Sequence, residues 1–145
     1  MKLSPALGAA ALALTGTMAL AAPAQADVHA QAVGRSDVCT HGVCGSGTFT
    51  WGAYSLSRGS LSVKDTGCDA QRVAIRLAVK HTDGTWEYGA RRWNDSGCHG
   101  GYRAWYNLSW NDSKKIAGFR VIGYKFSSFT LRASYTGNYV DNPRT

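Results

Sequence analysis

From residue 27 onward, apolar and polar positions alternate in short runs broken by Gly, Asp-Gly and Asn-Asp, and no stretch sustains a helical spacing of apolar residues. This is the pattern of strands joined by tight turns. The clearest run is VAIRLAVKHTDGTWEYGARRW, residues 73–93, in which Val73, Ile75, Leu77 and Val79 alternate with Ala74, Arg76, Ala78 and Lys80 ahead of Asp83-Gly84. That dipeptide predicts a hairpin with a two-residue turn. With Thr82 facing Thr85, Lys80 meets Glu87 on the outer face, Tyr88 lies beside Val79 on the inner face, and Trp93 falls opposite Ala74 on the outer face. Further strands are predicted over 48–56, 60–65, 102–110, 116–125 and 129–135. Seven strands at this spacing predict an all-β fold, an antiparallel β-sandwich of immunoglobulin-like size, with a small closed barrel as the alternative.

On the strand over 102–110, strict alternation assigns Tyr102, Ala104, Tyr106, Leu108 and Trp110 to the core and turns Arg103, Trp105, Asn107 and Ser109 outward. Trp105 and Trp93 then stand on polar faces among arginines. Exposed aromatics in such company mark contact surface, although a terminus folded over an outer face would use them equally well.

The two ends change the picture. Residues 1–26 carry Lys2, an Ala-rich apolar run and an A-x-A ending at Ala26, the pattern of a secretory signal peptide cleaved before Asp27. The remaining 119 residues form one domain, and no later stretch is apolar enough to span a bilayer. Of the 16 Lys and Arg only Lys2 is lost, against 9 Asp and Glu, which leaves a net charge of +6. Such a balance favours an acidic partner, while basic residues scattered along strands also describe an ordinary solvated sheet face. In an exported chain Cys39, Cys44, Cys68 and Cys98 are expected as two disulfides. Extending the hairpin register places Cys68 opposite His99, next to Cys98, so a Cys68–Cys98 bridge would tie the open base of the hairpin and leave Cys39 to pair with Cys44. Residues 27–47 are polar and weakly periodic, and predict an extension with a clipped loop ahead of a β-sandwich domain over 48–145. Val38, His41 and Val43 are its candidate contacts, as part of a docking arm that adds a strand to a partner.

Chemistry is hard to find. The single glutamate, Glu87, denies the chain the usual carboxylate pair of a glycosidase. A Ser/His/Asp triad depends on geometry, and no G-x-S-x-G elbow is present. Cys39, His41 and Cys44 in CTHGVC could bind zinc only with a fourth ligand such as His29, and in an exported protein a disulfide is the better reading. No phosphate-binding loop or nucleic-acid module occurs. The expectation is a binder with no catalytic residues, no cofactor and no metal.

The Ala-rich leader, the early CTHGVC, the Cys68 and Cys98 staple and the segments WNDSGC and IAGFRVIGYKF together resemble small secreted β-sandwich proteins of filamentous Gram-positive bacteria. Among these the chain is similar to the adaptor subunits of umbrella toxin particles. The resemblance implies a non-catalytic adaptor that links other secreted subunits, with residues 27–47 entering one partner's cleft and a sandwich face meeting the other. Read from the residues alone, the leading function is protein–protein interaction through the extension and Trp93, Arg103 and Trp105. The alternatives are a carbohydrate or cell-wall binding module, with Trp93 and Trp105 as stacking platforms and Asp95 or Asn107 as polar readers, and an inhibitor of a secreted hydrolase presenting the Cys39–Cys44 loop.

Overall fold

A computed structural model describes residues 31–145. The predicted signal peptide, the start of the predicted extension and His29 lie outside the described residues. Ten strands and no helix occur among those described: β1 (Val33–Thr40), β2 (Val43–Trp51), β3 (Ser55–Asp65), β4 (Arg72–His81), β5 (Trp86–Tyr88), β6 (Arg92–Asn94), β7 (Tyr102–Asn111), β8 (Ile116–Ser127), β9 (Thr130–Thr136) and β10 (Val140–Asp141). They form two antiparallel sheets rather than a closed barrel. One sheet runs β1-β2-β3-β7; the other centres on β4 and β8, with β5 and β6 sharing the free side of β4 and β9 and β10 sharing that of β8.

Between the sheets, Phe49 and Trp51 from β2 pack on Phe119 from β8, with ring centroids 5.4 and 4.9 Å apart. Val43, Leu56, Val63, Ile75, Val79, Ile116 and Val121 complete this buried layer. Each fully buried side chain of this kind contributes about 1.5–3 kcal/mol relative to exposure. A Cβ at Gly59 would collide with the Phe49 ring, so the backbone approaches there as only glycine permits.

Residues 33–47 are not an extension. They form β1 and the first half of β2, and β2 lies between β1 and β3 inside the sheet. The predicted boundary between residues 47 and 48 therefore falls in mid-strand. What β1 buries is mostly not apolar: Gly34 lies against the Trp51 ring, Val38 joins the core, and Ser36 is fully buried as a hydrogen-bonding residue. The Ser36 hydroxyl donates to the Asn138 carbonyl at 2.6 Å and accepts the Val121 amide at 3.0 Å, which ties the two sheets together. The Asn138 side chain accepts from the Asp37 amide at 2.6 Å and donates to the Arg35 carbonyl at 3.3 Å, capping the outer edge of β1.

Three local registers depart from plain alternation. The predicted strand over 48–56 is broken at residues 52–54, where Gly52 donates to the Ser55 carbonyl at 2.8 Å. In the 73–93 hairpin, the His81 amide donates to Thr85 and the Gly84 amide to His81, both at 2.9 Å, so the loop has three residues with Gly84 at φ +87°. Lys80 consequently faces Trp86, Val79 faces Glu87, and Tyr88 lies outward beside Ala78. The chain takes up the shift across residues 89–91, and Trp93 faces Ala74 as predicted.

The third departure is in β7. Asn107 at φ +55° bulges out, and Arg58 at φ +48° makes a compensating bulge on β3. Trp105, Leu108 and Trp110 thereby all pack against the core, while Tyr102 and Tyr106 are exposed. This reverses the assignment that alternation gave for Trp105, Tyr102 and Tyr106.

Both disulfides are present, Cys39–Cys44 and Cys68–Cys98. The first joins directly opposed residues of the β1–β2 hairpin. The second links the β3–β4 connection to the β6–β7 connection, two of the three places where the described chain passes between the sheets.

A candidate partner-binding face on the second sheet

The outer face of β4 and β8 follows from alternation on strands whose other side is core. Ala74, Arg76, Ala78 and Lys80 on β4 stand next to Tyr124, Ile122, Arg120 and Gly118 on β8. The small residues leave room for large neighbours to lie flat over them. Ala74, Ala78, Ile122, Tyr124 and Phe126 form a second apolar cluster, against which Trp86 and Trp93 pack.

Cations cover these rings in series. The Arg120 guanidinium carbon is 4.2 Å from the Trp86 centroid, that of Arg76 is 4.2 Å from Tyr88, and that of Arg72 is 4.7 Å from Trp93. Arg91 lies 5.1 Å from Tyr124, and Lys80 Nζ lies 5.7 Å from Tyr139. Each stacked cation gains about 0.5–2 kcal/mol from the ring quadrupole, and the ring holds the guanidinium plane in a fixed attitude. Arg72 is also paired with Asp95 at 2.7 Å, which raises its pKa mainly through that hydrogen bond. By contrast, the Nε–H groups of Arg76 and Arg120 are buried and have no hydrogen-bond partner among the described residues. A buried donor without an acceptor costs about 1–3 kcal/mol, more when charged.

The residues predicted as contacts are dispersed. Trp93 stands on this face, between Arg72 and Phe126, whose ring centroid is 4.7 Å away. Trp105 belongs to the other sheet and packs against the core, with Arg92 and Arg103 at 5.7 and 5.5 Å from its ring. Val38 and Val43 are buried and present nothing to a partner, whereas His41 is exposed at the tip of the β1–β2 turn. Asp95 is occupied by Arg72, and Asn107 is the exposed bulge residue. Trp86, Arg76, Arg120, Tyr124 and Phe126 were not singled out by the sequence, although the spacing of Arg76 and Lys80 opposite the inward valines carried their side.

No family model, curated protein or solved structure matches this chain.

Two clusters bear on chemistry. Both sulfurs of CTHGVC are joined to each other, so neither is a free thiolate ligand. Asp112, His81 and Thr85 stand in the order of a proton relay, with His81 Nε2 2.7 Å from Asp112 and Nδ1 3.1 Å from Thr85 Oγ1. The Thr85 hydroxyl, however, donates to Asp83 at 2.6 Å, so its proton is not directed at His81. The backbone amide of Lys114, aided by His81 and Trp110, holds the Asp112 carboxyl down at about 2. The group ties the β4–β5 turn to the β7–β8 turn. Among the described residues no helix is long and apolar enough to cross a membrane.

Proposed function

We propose that this chain is a secreted, non-enzymatic adaptor that binds an acidic surface of another secreted protein through the outer face of β4 and β8. The observation that carries this reading is the pair of guanidinium groups of Arg76 and Arg120, held on the Tyr88 and Trp86 rings of this face. Guanidinium groups fixed in this way match carboxylates in planar geometry. The same stacking argues against a sugar platform here, because the ring faces a sugar would use are already covered by cations. Two disulfides suit an oxidising compartment and support export. In a toxin particle of the kind the sequence resembles, this face would meet a neighbouring subunit, and the docking role moves from residues 33–47 to the sheet.

The test is capture of secreted proteins from the producer's culture medium by tagged wild type and by an Arg76→Gln/Arg120→Gln variant. A charge-assisted hydrogen bond contributes about 1.5–3 kcal/mol, so losing two weakens binding at least ~100-fold. A defined partner with an acidic surface, lost in the variant and weakened by salt, is the expected result. A partner held equally well by the variant, or retention only on anionic polymers such as teichoic acid, overturns the reading.

A further inference from the structure

The opposite face of the sandwich carries a different chemistry. A groove of about 400 Å³ crosses the outer side of the β1-β2-β3-β7 sheet. Its walls are Arg35 and Asp37 on β1 and Tyr102 and Tyr106 on β7, and Ser46 and Ser62 lie on its floor. Three interstrand steps separate the walls, a backbone span of about 14 Å. The Cys39–Cys44 bridge fixes one end.

Every part of this groove is polar, neutral or flat-aromatic. Arg35 is neutralised within the wall, because its Nε and Nη2 donate to Asp37 at 3.0 and 2.8 Å. The hydroxyls of Ser46 and Ser62 are 3.0 Å apart and share one hydrogen bond, which leaves a donor and several acceptor positions facing outward. Tyr102 and Tyr106 are 61% and 72% exposed, held outside by the Asn107 bulge that turns Trp105 and Leu108 inward. Lys64 approaches the Tyr102 ring at 5.9 Å, whereas Tyr106 carries no such cation among the described residues. Exposed tyrosines are not needed by the core, and their rings flank hydroxyl, carboxylate and guanidinium groups.

We infer that this groove binds a neutral oligosaccharide. A pyranose presents an apolar C–H face and a rim of hydroxyls, and the groove offers an aromatic plane for the first and mixed donors and acceptors for the second. Net neutrality separates this ligand from the anionic surface assigned to the other sheet. The two sites lie on opposite faces, so neither needs the other.

The test uses β-1,4-linked hexasaccharides of glucose and of N-acetylglucosamine, each titrated into the isotope-labelled secreted chain and followed by amide chemical shifts. One of them is expected to bind at submillimolar concentration, shifting amides around Ser46, Ser62, Tyr102 and Tyr106. A Tyr102→Ala/Tyr106→Ala variant should bind roughly tenfold or more weakly. Both tyrosines are exposed, so its unperturbed amides elsewhere report an intact fold. The inference is overturned if neither sugar shifts these amides at about 5 mM, if the shifts map to β4 and β8, or if the double variant binds as wild type. Protein capture through Arg76 and Arg120 would stand in each of those cases, so the two readings fail separately.

Discussion

Ser36→Ala distinguishes a docking arm from a structural strand. In a loose arm the serine would be dispensable, but here its hydroxyl is fully buried between the sheets and serves two groups at once, the Asn138 carbonyl and the Val121 amide. Alanine removes both bonds and leaves the Val121 amide buried and the part-buried Asn138 carbonyl without this partner. Each unsatisfied group costs about 1–3 kcal/mol, so the expected loss is about 2–4 kcal/mol after partial relaxation. With a urea m-value of about 1.5 kcal/mol/M, the midpoint should fall by roughly 1.5–2.5 M. Arg35→Ala is the control on the same strand: its ion pair with Asp37 is exposed and should contribute under about 1 kcal/mol. Urea unfolding with the disulfides intact, followed by tryptophan fluorescence, measures both. A Ser36→Ala midpoint within experimental scatter of wild type would refute the account of β1 as an integral strand.

The disulfides should differ in strength by loop length. Chain-entropy arguments give about 3.6 kcal/mol for Cys68–Cys98, separated by 30 residues, and about 2 kcal/mol for Cys39–Cys44, separated by 5. Serine replacement of each pair, compared by thermal unfolding, should therefore lower the melting temperature more for the first pair than the second. Acid should weaken the fold through Asp112. Its folded pKa is depressed to about 2, so the stability it adds is present above its unfolded value near 4 and is lost as pH falls toward 2. Asp83, lowered by Thr85 and Lys114, acts in the same direction. Unfolding midpoints measured between pH 5 and pH 2 check this, and Asp112→Asn should flatten the decline.

How much was legible in the chain depended on whether apolar pattern carried the information. β4 and β8 were readable because valine, isoleucine and phenylalanine alternate with polar residues, and the Cys68–Cys98 bridge followed from that register. β1 was not, because its inward positions are Gly34, Ser36 and Val38, and a serine chosen for two hydrogen bonds looks in sequence like a loop serine. β7 was located but partly turned over, because one residue in a left-handed conformation, Asn107, reverses the assignments of Tyr102, Trp105 and Tyr106. The site suffered accordingly: Trp93 came from a well-read strand pair and stands on the cationic face, whereas Trp105 came from the misread half of β7 and faces the core. Tyr102 and Tyr106, counted as core by alternation, are instead the open aromatics of the groove.

That inversion has a functional side. Two bulges, at Arg58 and Asn107, cost pairing between β3 and the edge strand β7. They bring Trp105, Leu108 and Trp110 to the interior, and in doing so they hold Tyr102 and Tyr106 outside on a face otherwise surfaced by serines. The opposite sheet keeps an unbroken β4–β8 register from Arg72 and Phe126 to Lys80 and Gly118, over which cations stand on rings. The groove beside the β3–β7 bulges and the cations on β4 and β8 stand back to back across one core. The Arg76/Arg120 and Tyr102/Tyr106 variants therefore test the two proposed faces separately.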